Sequence, residues 1–120
     1  GTELPGWRVT TELLPGEGIG ELPAADGGCT AWFDADRLGV QLSVRSRRFG
    51  DRFIPLGMAG EKKLNRFMID TRIPRSWRPR VPLLLAGEAV AWVVGWRIDD
   101  RFKVTAATRR VLKVSFTRQG

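Results

Sequence analysis

Polar and apolar residues alternate most regularly over residues 38–47. Leu38, Val40, Leu42 and Val44 fall on one face of an extended segment, and Gln41, Ser43, Arg45 and Arg47 on the other. The same period of two runs through 111–117, with Leu112, Val114 and Phe116 inward and Lys113, Ser115 and Thr117 outward. A shorter stretch, 29–34, sets Ala31 and Phe33 against Thr30 and Trp32. Residues 7–14 form a strand that Pro15 and the glycines at 16, 18 and 20 end. The acidic run Asp34-Ala35-Asp36-Arg37 is a tight connection, so 29–34 and 38–47 are expected to pair as a hairpin. A second hairpin joins 82–86 to 89–94 around Gly87-Glu88. The run Val90-Ala91-Trp92-Val93-Val94 is apolar on both faces, which predicts the buried centre of the domain. Only 61–72 repeats at helical spacing: Leu64, Phe67, Met68 and Thr71 gather on one side, with Lys62 and Arg66 opposite and Lys63 at the flank. Pro74 ends that helix. The sum is an α+β domain, mostly β and sandwich-like, with one main helix (61–72) packed on the sheet.

Composition narrows this picture. A length of 120 residues suits one domain, and 42% hydrophobic residues with five Trp and six Phe suffice for a packed core. The chain opens on Gly1 and carries methionine only at 58 and 68, so a piece of a longer protein is expected. Cys29 is the lone cysteine, which rules out an internal disulfide and fits a reducing cytoplasm. No apolar run approaches the roughly 20 residues of a membrane span, and no signal-peptide pattern opens the chain. A cytoplasmic location away from membranes is expected.

Charge changes the picture more. Residues 45–80 hold eleven basic and three acidic side chains, a net +8 in a chain whose total is +7. Residues 1–44 net −5 and residues 81–120 net +4. A concentrated basic surface attracts a polyanion, which points to a nucleic acid. Sixteen of the twenty cations are arginine, whose planar fork suits phosphate and can stack on bases. The candidate contacts are Arg45 and Arg47 from the strand's polar face, Arg48 and Arg52 from the loop after it, Lys62, Lys63 and Arg66 from the helix, and Arg75 and Arg78 beyond it. Loop 48–60 is punctuated by Gly50, Pro55, Gly57 and Gly60. Within it, Gly50, Asp51 and Gly57 are expected to shape the backbone, Asp51 by accepting hydrogen bonds from backbone or arginine. Trp77, among arginines and prolines, could stack on a base; packing at the core edge is the favoured expectation.

Catalytic chemistry finds no support. Without histidine there is no base for a nucleophilic triad, and with one cysteine as well a zinc site is excluded. The run from Gly16 to Gly20 lacks the lysine of a phosphate loop, and Glu17 and Glu21 would repel phosphate, so it is a flexible turn. Asp34 and Asp36 have no third ligand near them in sequence. This chain is expected to bind and position rather than react, with no catalytic residue, metal or cofactor of its own.

Several short motifs then occur in a specific order: Arg48 to Phe53 with Gly50-Asp51-Arg52, Pro55-Leu56-Gly57-Met58, Lys62-Lys63-Leu64, Asp70, Ile73-Pro74, Arg78, Pro82-Leu83, Trp92, Gly95, Arg97-Ile98, Lys103-Val104-Thr105, Thr108 and Val111-Leu112. Over residues 40–117 this resembles the C-terminal domain of the tRNA(Ile)-lysidine synthetases. Phe49 departs from the proline expected before Gly50. The resemblance implies a non-catalytic tRNA-binding domain at 40–117. Residues 1–39 would be acidic N-terminal strands and loops, either part of the same domain or a linker from a preceding one. It further implies a parent ligase that joins lysine to the wobble cytidine of tRNA(Ile), with ATP and Mg bound in an N-terminal domain outside this sequence. The domain would hold the acceptor-stem side of tRNA(Ile). The rival expectation is a protein-interaction module, docking on its own catalytic domain or forming a homodimer through Trp7, Trp77 and Trp96.

Overall fold

A computed structural model describes residues 6–16 and 30–118. In chain order the elements are β1 (Trp7–Pro15), β2 (Thr30–Asp34), the one-turn α1 (Ala35–Leu38), β3 (Leu42–Arg45), β4 (Arg52–Phe53), β5 (Lys62–Lys63), α2 (Leu64–Asp70), β6 (Leu83–Ala86), β7 (Ala89–Val93), β8 (Arg97–Ile98) and β9 (Arg110–Arg118). Short 3-10 turns lie at Arg78–Arg80 and Asp100–Phe102. The strands form an antiparallel three-stranded sheet in the order β1-β9-β2, a four-stranded sheet β3-β6-β7-β8, and the two-stranded ribbon β4-β5. No helix among the described residues is long and apolar enough to cross a membrane.

The four-stranded sheet is the middle layer, and a hydrophobic cluster lies on each side of it. On one side, Ala31, Phe33, Val114 and Phe116 of the three-stranded sheet meet Val44, Leu84 and Trp92. On the other, Leu83, Leu85, Val90 and Val93 meet Leu64, Phe67 and Met68 of α2, together with Phe53 and Ile73. Successive side chains on a strand point to opposite faces, so the central strands of a middle layer are covered on both sides and are apolar at every position. This is why β6 and β7 read as unbroken apolar runs. The β6–β7 register shifts between Leu84 and Leu85: Leu84 faces Trp92 and Leu85 faces Val90, which leaves Ala91 as the extra residue of a bulge. The bulge moves Trp92 out of phase with Val90 and into the first cluster. There its ring makes edge contacts with Phe33 at 5.8 Å and Phe116 at 5.3 Å between centroids.

Several expectations from the sequence are corrected here. Residues 29–34 and 38–47 do not form a hairpin: β2 pairs with β9, and β3 pairs with β6. The cause is local. Asp34 caps α1 by accepting the N–H groups of Asp36 and Arg37, and Gly39 leaves the turn at φ +77°. The strand is therefore only Leu42–Arg45. Leu38 is buried on α1, while Val40 is 96% exposed, so the alternation over 38–41 reports no strand face. The helix is also shorter than 61–72. Lys62 and Lys63 are extended and pair with β4, and α2 stops where Arg72 takes φ 60° and the Ile73 N–H returns to the Met68 carbonyl at 3.0 Å. Trp77 is 56% exposed, against the expectation that it packs.

Gly16 is more than a turn former. Its N–H donates to the Arg109 carbonyl at 2.8 Å, and a Cβ there would collide with the Thr108 and Arg109 carbonyl oxygens. The rest of the glycine run, loop 23–28 and Cys29 lie outside the described residues.

Candidate nucleic-acid interface

The loop after β3 is built around one carboxylate. Asp51 accepts two hydrogen bonds from the Arg45 guanidinium, Nη1 to Oδ2 and Nη2 to Oδ1, both at 2.9 Å. Oδ2 also accepts the Arg48 backbone N–H at 2.7 Å. The Asp51 N–H returns to the Arg48 carbonyl at 3.2 Å, and Gly50 supplies the φ of +88° that closes so tight a turn. The Asp51 carbonyl accepts the Leu64 N–H at 2.8 Å, which fastens the loop to the start of α2. Hydrogen bonding from Arg45 outweighs burial and holds the Asp51 carboxyl below the usual carboxylate range. Arg45 is thus neutralised within the fold.

The β4–β5 ribbon does the opposite. Its register sets Arg52 directly across from Lys63, both exposed. Directly opposed residues project to the same face, so two cations share one side of a two-residue ribbon. Lys63 is also the N-cap of α2 and makes no side-chain cap bond. Arg47 reaches the same place: its Nη1 donates to Asn65 Oδ1 at 3.3 Å, in the first turn of α2. Arg48 is exposed and its backbone is tied, through Asp51, to the same turn. Among the described residues no salt bridge engages Arg47, Arg48, Arg52 or Lys63. These four cations surround the N-terminal end of α2.

The other candidates lie elsewhere. Asp70 binds Lys62 Nζ at 2.7 Å and approaches Arg66 Nε at 3.5 Å, and these cations, Lys62 foremost, lower its pKa. Lys62 and Arg66 thus share one carboxylate at the far end of α2, although the Arg66 side chain remains 69% exposed. Arg75 is exposed beyond the helix. Arg78 donates Nε to the Ile73 carbonyl at 2.9 Å and so braces the turn that follows α2.

A second anchoring node has no sequence signal. Asp99 is fully buried and accepts the Ile54 N–H at 2.8 Å, the Arg101 N–H at 2.8 Å and the Arg101 guanidinium at 2.9 and 3.0 Å. Its own N–H donates to the carbonyl of the bulge residue Ala91 at 2.7 Å. Asp100 accepts the Gly57 N–H at 3.1 Å, where Gly57 sits at φ +88°. Together they fix loop 54–57 to the middle sheet. In the sequence, residues 99–101 look like nothing more than a turn, because Asp-Asp-Arg carries no sign of which carboxylate is buried. Arg97 is a further cation near the interface that sequence reasoning missed: its guanidinium stands 5.5 Å over the Phe67 ring of α2. No cluster of three His, Cys, Asp or Glu residues among those described could hold a metal ion.

The tRNA(Ile)-lysidine synthase of Dehalococcoides mccartyi is 50% identical to this chain over 118 residues, covering 97% of the chain and 25% of that protein. The tRNA(Ile)-lysidine synthase of Symbiobacterium thermophilum is 42% identical over 120 residues, covering 98% and 24%. The chain therefore spans about a quarter of the length of these curated relatives. A crystal structure of a TilS C-terminal domain superposes with a TM-score of 0.73 at 28% identity, covering 99% of this chain and 90% of that one. An N-terminal fragment of the phenylalanyl-tRNA synthetase β-subunit from Pyrococcus horikoshii shares the fold alone, with a TM-score of 0.60 at 17% identity over 75% of this chain and 28% of that one. The family model described as the TilS substrate C-terminal domain matches residues 42–115, and this chain belongs to that family.

Proposed function

We propose that this domain grips tRNA(Ile) on behalf of a longer, cytoplasmic tRNA(Ile)-lysidine synthase. The ATP-dependent joining of lysine to the wobble cytidine would take place in a separate N-terminal domain, which would also bind Mg. The observation that carries the tRNA-holding role is the pair Arg52 and Lys63, opposed on one face of the β4–β5 ribbon without an ion-pair partner among the described residues. Like charges directly across a ladder destabilise it, and a cation at the start of a helix opposes the helix dipole. A phosphate lying between the two side chains turns both penalties into attraction. The backbone of an RNA duplex such as the acceptor stem is a row of such phosphates, read by charge and shape rather than by base edges. Arg47 and Arg48 extend the contact along the loop, and Arg66, Arg75 and Arg78 along the side of α2 and the turn that follows.

Charge reversal tests this. Arg52→Glu with Lys63→Glu is expected to weaken tRNA(Ile) binding and to make its salt dependence shallower, by about 0.7–0.9 in log–log slope for each phosphate no longer neutralised. Affinity unchanged at low salt would overturn the assignment. A docking role against the rest of the parent protein draws on the exposed Leu56, Met58 and Trp96 and predicts association insensitive to salt.

A further inference from the structure

Residues 71–87 contain no acid and four arginines, at 72, 75, 78 and 80, with Trp77 among them. Trp77 is 56% exposed, and its indole makes no ring or cation–π contact among the described residues. The part of so large an apolar side chain that stays in water gains nothing for the fold. Its backbone is nevertheless rigidly held. The Trp77 N–H donates to the Pro74 carbonyl at 2.9 Å, and the Trp77 carbonyl accepts from Arg80 at 2.8 Å and Val81 at 3.1 Å. The segment is pinned at both ends by the buried Ile73 and Val81. Arg78 ties its guanidinium Nε back to Ile73.

Arg72 is the second, independent sign. It is the one described non-glycine residue with positive φ, at the position after α2 where the chain turns left-handed. Glycine is the usual occupant there, because a side chain costs about 1 kcal/mol in that conformation. Arg72 is exposed and, among the described residues, has no ion-pair partner, so the turn's backbone bonds, which glycine would make equally well, give no reason for an arginine there.

We propose that Trp77 is a stacking platform for an unpaired base at the end of the bound RNA, with Arg72, Arg75 and Arg80 holding the phosphates beside it. Unpaired bases stack on aromatic faces whatever their identity, and neighbouring arginines supply the charge that tracks the strand. With the Trp77 backbone already held, ordering the segment on binding costs little entropy. The inference rests on the tRNA-holding role above and deepens it: the Arg52–Lys63 ribbon takes duplex phosphates, and the 72–80 segment takes a single-stranded extension.

Two RNA hairpins of identical stem separate the claims, one blunt and one with a four-nucleotide 3′ extension. The wild-type chain is expected to bind the extended hairpin more tightly. Trp77→Ala should lower that affinity by roughly ten-fold or more, the scale of one base stack, and leave blunt-hairpin affinity and melting temperature unchanged. Trp77→Phe should keep most of the advantage. Equal affinity of Trp77→Ala and wild type for the extended hairpin overturns the platform while leaving duplex gripping intact. Absence of binding to either hairpin overturns both. If Trp77→Ala lowers the melting temperature, or abolishes self-association without touching RNA affinity, the ring serves packing or protein contact and the proposal fails.

Discussion

At the scale of single residues, cations sit where the fold itself would prefer something else. Lys63 occupies an N-cap with extended backbone angles, φ −62° and ψ 131°, where serine would accept a helix N–H that lysine cannot. Lys63→Ser removes the repulsion across from Arg52 and adds a cap, so it should raise stability by about 1 kcal/mol while weakening RNA binding. Thermal melting and a salt titration of tRNA affinity on the same protein check both halves. A variant that loses stability would show that Lys63 has a structural role. Arg72→Gly follows the same logic, with a rise of several degrees in melting temperature expected from relief of about 1 kcal/mol of backbone strain. Asp51 behaves in the opposite sense. Its folded pKa lies below its unfolded value, so its contribution is complete above the ordinary carboxylate range near about pH 4 and disappears as pH falls through the lower folded value. Asp51→Asn should therefore cost roughly 1–3 kcal/mol at neutral pH, and its deficit relative to wild type should shrink on acidification through that window in chemical denaturation series. A deficit that stays constant on acidification from neutral pH through that window would mean that charge pairing with Arg45 contributes nothing.

At the scale of elements, what the chain reveals depends on how far apart the partners are. The β6–β7 hairpin was legible because two apolar runs flank Gly87-Glu88, and Gly87 takes φ +60° there. The faces of β2 and β9 were legible too, with Ala31, Phe33, Val114 and Phe116 all buried. Their pairing was not. Alternation states which side of a strand is apolar and is silent on which strand lies beside it. The β1–β9–β2 sheet joins Trp7 to Arg118 and Thr30 to Ser115, pairings that no local signal encodes. Over 38–41 the alternation misled, because a four-residue helical turn and Gly39 intervene. At the interface, the concentration of cations in one third of the chain was visible. Which of them are already paired was not, since Asp70 lies one turn from Arg66 but reaches back to Lys62 across the β5–α2 junction. The Asp99 node shows the same limit: one buried residue joins loop 54–57 and the following 3-10 turn through its carboxylate, and the Ala91 bulge through its backbone N–H. Asp99→Ala would leave the Arg101 guanidinium and the Ile54 N–H without their acceptor. The Arg101 side chain is exposed and can be solvated, so the expected cost is about 1–3 kcal/mol, a fall of roughly 5–10 °C in melting temperature by calorimetry. A fall of only a degree or two would mean that water replaces the carboxylate freely.

At the scale of the whole molecule, three layers divide the work. The three-stranded and four-stranded sheets enclose one cluster around Trp92, and the second cluster supports α2 and its surrounding loops from beneath. The cations of 45–80 are thereby mounted on a rigid base, and the acid-rich N-terminal segment supplies β1 and β2 to the sheet on the other side of the middle layer. On this mounting, tRNA association and self-association should respond oppositely to salt. Contacts with phosphate release counterions and weaken steeply as salt rises, whereas an interface built on Leu56, Met58 and Trp96 would hold or strengthen. Sedimentation of the 120-residue chain with and without tRNA(Ile), at about 50 and about 200 mM salt, separates the two. If about six phosphates are engaged, affinity should fall by roughly a thousand-fold across that range. The chain alone should sediment as a monomer at both concentrations. A dimer that persists at high salt, together with tRNA affinity insensitive to salt, would move the role of this domain from holding RNA to holding protein.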